Sequence, residues 1–287
     1  MDIALELILA TLWLWALYGL LSAAFALSFR VGGFFDLSVG ASFLVGGYGS
    51  WLVAKIAPPL LAVVGGVCLA TLVAISLGRW LVAPLAVRLP PLALFVATLA
   101  VLYIAQAVAA VCFGESALVL WSGPARSYDL GAVNITTVQL TFGIATAVLL
   151  FGLIFWLQIS RWGRFARAIA DDRVLATLLV IPVQGTILRC YGISGALAGF
   201  AGAFFVADRA IDPSQGLTVL LAAMVGAVLG GKSIGGAILG ALVLATLETG
   251  LGFLLQGNWK TTVAFGVLLT VLIARPDGVT QIVRRRI

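Results

Sequence analysis

Ionisable side chains are scarce in this sequence, so each one set against an apolar run is informative. Asp and Glu number 11 and Lys and Arg 17 among 287 residues, and there is no histidine. That absence excludes Ser-His-Asp and Cys-His triads and the usual zinc sites. Gly226-x-x-x-x-Gly231-Lys232-Ser233 has the spacing of a P-loop, but it lies inside an apolar, glycine-rich run and not between a strand and a helix, so it is not read as a nucleotide site. Cys68, Cys112 and Cys190 are odd in number and lie in or beside apolar runs. They read as small buried hydrophobes with no disulfide framework.

What remains is a short set of polar positions. Asp36 follows Gly32 and Gly33; it reads as the cap of a broken helix in preference to a substrate contact. Tyr103 and Gln106 share a helix face at a spacing of three, suited to lining a pathway or to hydrogen bonding between helices. Glu248 lies in an apolar stretch, where a carboxylate is costly; it is functional, paired, or close enough to one end to reach headgroups. Residues 158–190 form an arginine-rich amphipathic stretch, with Phe165, Ile169 and Leu175 available to pack. It reads either as a loop that binds lipid headgroups or as a helix that docks into a groove on a partner. Residues 222–252 are dense in glycine, which permits a sharp re-entry at 230–236 and close helix contacts on either side.

The elements that must hold these residues are membrane helices. Hydrophobic residues make up 62% of the chain and charged residues 10%, against about 45–50% and about 25% in an ordinary soluble domain. This balance excludes a soluble enzyme, a disordered chain and a nucleic-acid binder. The expected fold is all-α, a polytopic bundle of eight to nine transmembrane segments, some broken or re-entrant, forming a single domain over 1–287. The spans fall at 5–29, 36–54, 60–78, 92–113, 136–158, 186–207, 217–231 and 234–254, with a ninth, short one at 260–274. The first opens on Asp2 and its apolar run is long, so it reads as a retained span, not a signal peptide. Nine crossings put every Lys and Arg inside except Lys55, Arg126, Arg209 and Lys260, which leaves 13 of 17 on the cytoplasmic side.

Three motifs carry a family resemblance. Gly163-Arg164-x-x-Arg167-Ala168-x-x-x-Asp172-Arg173, with Ala176 following, resembles the cytoplasmic coupling loop of binding-protein-dependent ABC permeases, those of the branched-chain amino acid type in particular. Val180 stands where that pattern has glycine. Gly230, Gly231, Lys232, Gly235, Gly236 and Gly240 resemble the same family's glycine signature, with Lys232 replacing a small residue and Glu248 matching an acidic position. Arg275, Pro276 and Gly278 resemble its closing R-P-x-G. Asp36-Leu37-Ser38-Val39-Gly40 is closer to the ribose-type sugar permeases of the same superfamily.

The resemblance implies a permease subunit of an ABC importer in the bacterial inner membrane. It binds no cofactor, and ATP and magnesium belong to separate cytoplasmic ATPase subunits. The loop at about 159–185 couples to them. A second permease subunit, in a heterodimer in preference to a homodimer, and an extracytoplasmic solute-binding protein complete the assembly. Branched-chain or related amino acids are the first reading of the solute, with a sugar or an amide such as urea as the alternative. A self-sufficient secondary transporter is the reading from another class; Asp36 and Glu248 are its only candidate ion ligands, both near span ends. The orientation is testable in a cysteine-free background. A single cysteine at Ser127 should react with an impermeant thiol reagent on intact cells, and one at Asp171 only after permeabilisation; reversed accessibility overturns the orientation.

Overall fold

The computed structural model describes residues 2–120, 127–129, 134–231, 233–255 and 266. Eleven helices are described: α1 (Asp2–Gly32), α2 (Ser38–Ala54), α3 (Pro59–Leu77), α4 (Ala83–Arg88), α5 (Pro91–Phe113), α6 (Thr137–Ile159), α7 (Arg161–Asp171), α8 (Arg173–Leu178), α9 (Val183–Asp208), α10 (Gln215–Leu229) and α11 (Ile234–Leu255). A π-helical turn at Gly78–Val82 joins α3 to α4. Two three-residue strands, β1 (Ser127–Asp129) and β2 (Asn134–Thr136), pair antiparallel in the connection that the sequence reads as a loop. Six helices are long and apolar enough to cross a membrane; α2 and α10 are apolar but shorter. The ninth span at 260–274 lies outside the described residues.

Helix boundaries follow local chemistry. Proline opens α3 and α5 at the first helical turn, where a missing N–H costs nothing. Gly33 ends α1 at φ +77°, a conformation that glycine adopts without a Cβ clash.

The chain divides into two compact units. The first comprises residues 1–26, 124–150 and 221–287. In it, α1 is fixed by three side chains. Trp15 Nε1 donates to the Ile238 carbonyl at 3.0 Å, Tyr18 Oη to Glu248 Oε1 at 3.3 Å, and Ser22 Oγ to the Ala223 carbonyl at 2.7 Å. Trp13 packs on Phe142 with ring centroids 6.4 Å apart.

The second unit comprises residues 27–123 and 151–220 and is built around α2, α3 and α9. Twelve of the 17 residues of α2 are buried, the signature of a helix enclosed on nearly all sides. The three backbones meet through glycine. A Cβ on Gly46 would overlap the backbone of Gly199, one on Gly66 would overlap Ser50 Oγ and the Gly46 carbonyl, and one on Gly202 would overlap the Phe43 carbonyl. Away from this seam α3 and α5 present large apolar side chains outward, Leu60, Leu72, Val96 and Ile104 among them. Cys68 and Cys112 belong to these exposed faces, and of the three cysteines only Cys190 is buried as expected. The outward faces of helices that need not shed water for a lipid environment can hold a polarizable thiol as readily as a core can.

The seam generates a prediction. Gly46→Leu should lower the thermal unfolding midpoint of the detergent-solubilised protein, by the equivalent of at least about 1–3 kcal/mol of overpacking. Ile104→Leu, on an exposed face, should leave it unchanged. Equal midpoints would remove the backbone contact from the account of stability.

Candidate functional site

The arginine-rich stretch folds as two short helices, α7 and α8, broken at Asp172. Ser160 caps α7: its Oγ accepts the Gly163 N–H at 2.9 Å. The buried stripe of α7 is Gly163, Ala166 and Ile169, and Ala176 continues it in α8. Gly163 is held to glycine because a Cβ there would overlap the Leu157 carbonyl of α6. Arg167 donates to that same carbonyl, so its guanidinium anchors α7 to the end of α6 and is only partly available to a partner.

Other members of the motif also serve local structure. Asp172 ends α7, and its Oδ1 accepts the Leu175 N–H at 3.0 Å, capping the first turn of α8. Arg189 of α9 lays its guanidinium over the Trp162 ring at 3.1 Å from the centroid, and Trp162 meets Phe165 edge-on at 5.6 Å. Arg30 at the end of α1 lies within electrostatic reach of Asp171 and Arg167. Arg164 points outward and Ala168 is half-buried. Leu175, expected to pack, is exposed instead, and with Leu178, Leu179 and Val180 it forms an apolar surface. The break at Asp172 changes the helix direction, so Leu175 no longer continues the stripe that ends at Ile169.

The departure at Val180 now has a physical meaning. The Val180 N–H donates to the Thr177 carbonyl at 3.2 Å and the Ile181 N–H to the Ala176 carbonyl at 3.2 Å. That pair of bonds is the Schellman closure of a helix, whose left-handed residue is usually glycine. Val180 occupies that residue at φ +58°, where a β-branched side chain is strained.

The glycine-rich region is a tight helix–turn–helix within the first unit. Gly230 and Gly231 close α10 by donating to the carbonyls of Gly226 and Val228, both at 3.0 Å. Gly231 has φ +68°. Ser233 opens α11 by accepting the Gly236 N–H at 2.8 Å. Gly226 of α10 and Gly230 just past its end face Gly236, Gly240 and Ala241 on α11. A Cβ on Gly230 would overlap the Gly236 backbone, one on Gly240 the Gly226 carbonyl, and one on Gly226 would lie 3.0 Å from Ala241 Cα. These are two glycine pairs at i, i+4 in direct contact. Gly235 is not part of the contact: a Cβ there meets nothing within 4 Å, because one residue turns the position to the open side of α11. Lys232, Arg275, Pro276 and Gly278 lie outside the described residues.

Of the four pathway candidates, Asp36, Tyr103 and Gln106 belong to the second unit and Glu248 to the first. Tyr103 is 52% exposed and Gln106 half-buried, so that face of α5 turns away from the interior of its unit. The buried polar residue of α5 is Thr98, whose Oγ1 accepts the Leu37 N–H at 3.2 Å. Glu248 is buried against Tyr18 in the first unit and does not reach outward. Asp36 is fully buried in the second; its Oδ1 accepts both the N–H and the hydroxyl of Ser38, at 2.9 and 2.6 Å, at the entrance to α2. The capping reading of Asp36 therefore describes its geometry. Sequence reasoning missed Tyr191, buried on α9; its only signal was a tyrosine within an otherwise small and apolar helix. Among the described residues no group of three metal-ligating side chains occurs.

The sequence profile of a family described as the permease component of branched-chain amino acid transport systems matches residues 7–272. The high-affinity branched-chain amino acid transport system permease protein BraD of Pseudomonas aeruginosa is 33% identical over 153 residues, which are 53% of this chain and 50% of that protein. The chain thus spans about half the length of the curated relatives it first matches. The fructose import permease protein FrcC of Rhizobium meliloti is 28% identical over 289 residues, covering 93% of this chain and 76% of that protein. Among solved structures, PsaBC from Streptococcus pneumoniae in complex with Fab superposes with a TM-score of 0.51 at 13% identity, over 94% of this chain and 92% of that one. It shares the fold.

Relief of the strained closure is measurable. Val180→Gly should raise the unfolding midpoint by the equivalent of about 0.5–1 kcal/mol, the left-handed penalty of a side chain less the entropy that glycine adds to the unfolded chain. A midpoint that falls would remove the strain from Val180.

Proposed function

The chain belongs to the family of permease components of branched-chain amino acid transport systems, and from that premise we propose that it is the membrane-spanning subunit of a binding-protein-dependent ABC importer. One observation carries the coupling role. α7 and α8 are anchored on α6 and α9 by the Ser160 cap, the Gly163 contact, the Arg167 bond and the Arg189–Trp162 stack. Their outward side keeps Arg161, Arg164, Leu175, Leu178 and Leu179 exposed. A rigidly mounted element with a basic and apolar outer face suits a groove on a cytoplasmic subunit, which it can push or be pushed by as one body.

ATP and magnesium are then bound and hydrolysed on that partner. Closure of two ATPase subunits moves α7 and α8, and the helices that carry them follow. A second permease subunit, different from this one in preference to a copy, completes the pathway. An extracytoplasmic binding protein delivers the solute and supplies most of the selectivity. The membrane domain is one functional unit over 1–287, in the inner membrane, with the glycine contact of α10 and α11 close to its gate.

The solute proposed first is a branched-chain or related amino acid, which is what BraD's name states for that protein. A sugar is the second reading. It is favoured by the 93% coverage against a permease named for fructose import and by Asp36-Leu37-Ser38-Val39-Gly40 at the entrance to α2.

The docking assignment is tested at Arg164, whose side chain is exposed and, among the described residues, makes no bond of the kind Arg167 makes. Arg164→Glu should reduce co-purification of the ATPase subunits at least about tenfold, the loss of roughly 1.4 kcal/mol at an interface, with the unfolding midpoint of the permease unchanged. In proteoliposomes with the complete importer, ATP-driven uptake of labelled leucine against labelled fructose decides the solute. Wild-type co-purification by Arg164→Glu overturns the docking face.

A further inference from the structure

Two polar side chains of α5 lie deep inside a membrane span and turn outward. α5 runs from Pro91 to Phe113, with Arg88 and Glu115 just beyond its ends. At about 1.5 Å per residue, Tyr103 lies about 2 Å from the midpoint of the helix and Gln106 about 6 Å. The hydrocarbon core extends about 15 Å to either side of that midpoint, so neither side chain reaches water along the helix. Tyr103 is 52% exposed and Gln106 half-buried, and neither has a hydrogen-bond partner among the described residues.

Other spans show how a lipid-facing polar group is satisfied. Exposed Ser76 on α3 donates to the Leu72 carbonyl at 2.7 Å, and exposed Thr246 on α11 donates to the Val243 carbonyl at 2.8 Å. A short hydroxyl side chain on an outward face is thus completed by its own helix. The ring of Tyr103 holds its hydroxyl away from the backbone, and the Gln106 amide, with two donors and an acceptor, is left uncompleted as well. In hydrocarbon such groups are costly unless something beyond the helix bonds them.

The row around Tyr103 is also unlike a lipid-facing surface. Val96, Ala100, Tyr103 and Ala107 recur at spacings of four, three and four, and all are exposed. That is the seam of a helix that packs on another, with alanine at two positions where a second backbone can come close. On α6 the outward residues at similar depth are Val148, Phe151 and Phe155, bulky and apolar.

Whatever covers the row at this depth is itself a membrane chain, because ATPase subunits and an extracytoplasmic binding protein stay outside the hydrocarbon. We propose that this face of α5 is the contact surface for the second permease subunit, with Tyr103 and Gln106 hydrogen-bonded to polar groups of that subunit. An amide donates and accepts at once, so Gln106 suits an amide, a hydroxyl or a backbone carbonyl bared by glycine on the facing helix. The inference rests on the importer reading for the identity of the occupant; the demand for a polar cover does not.

The surface is tested in the complete importer in its membrane. A benzophenone-bearing phenylalanine in place of Tyr103 keeps an aromatic ring there, and the same residue in place of Val148, which is 66% exposed, is the control. Irradiation should join the chain to the second permease subunit from the Tyr103 position and to lipid alone from the Val148 position, read by mass spectrometry of the adducts. Adducts from the Tyr103 position confined to lipid, or to another part of the same chain, overturn the surface. The hydrogen bonds are read separately, by energy transfer between labelled permease subunits in vesicles at a series of lipid dilutions. Tyr103→Phe and Gln106→Leu should each weaken pairing about threefold and together about tenfold, the size of hydrogen bonds between membrane helices, with the unfolding midpoint retained. A double variant that pairs like the wild type overturns the polar contact. A purified complex of ATPase subunits with one permease chain sinks the two-permease reading and this occupant with it; lipid adducts in a complex that holds two permeases sink the inference alone.

Discussion

Direct contact between helix backbones is the constraint on which the rest of this protein depends. In a lipid environment apolar side chains gain little by leaving lipid for a neighbouring helix, so association must come from close packing and from hydrogen bonds. Both units meet that demand with glycine. Gly46, Gly66, Gly199 and Gly202 bring α2, α3 and α9 together, and Gly226, Gly230, Gly236 and Gly240 do the same for α10 and α11. Once backbones lie this close, α2 is enclosed on nearly all sides and carries its serines, Ser38, Ser42 and Ser50, into the interior.

Polar groups inside such a bundle need partners, and their placement follows from the need. Ser22 and Trp15 bond backbone carbonyls of neighbouring helices, while Ser42 and Ser50 bond the carbonyls four residues back along α2. Tyr18 meets Glu248, and Asp36 takes the first N–H of α2. Burial of a carboxyl is costly unless hydrogen bonds replace water. Asp36 has that replacement on one oxygen, Oδ1, which accepts both the N–H and the hydroxyl of Ser38.

The arginine-rich segment of α7 and α8 obeys a different rule. It is mounted by caps and cation contacts at the ends of α6 and α9, with Gly163, Ala166, Ile169 and Ala176 turned inward. Four of its motif residues, Gly163, Arg167, Asp172 and Ala176, hold the segment in place. Arg164, Leu175, Leu178 and Leu179 are left exposed on its outward side. A sequence pattern that looks like a recognition surface is thus largely the chemistry of its own mounting.

Composition and periodicity were enough for the helices. The eight spans read from apolar length agree with the described helices to within a few residues, because apolar run length and terminal proline or glycine are local properties. The bond of Asp36 to the start of α2 was legible for the same reason, whereas the glycine expected at 180 came from the family pattern, and the structure supplied its local cause in the left-handed closure of α8. Which side of a helix faces which neighbour was not local. Gly235 and Gly236 are adjacent and identical, yet only Gly236 touches α10. Tyr103 and Gln106 share a face that turns outward, Leu175 left its stripe when the helix broke at Asp172, and two cysteines in apolar runs are exposed. A uniformly apolar sequence carries little amphipathic signal to orient its helices, so the facing residues were decided only when the backbones packed.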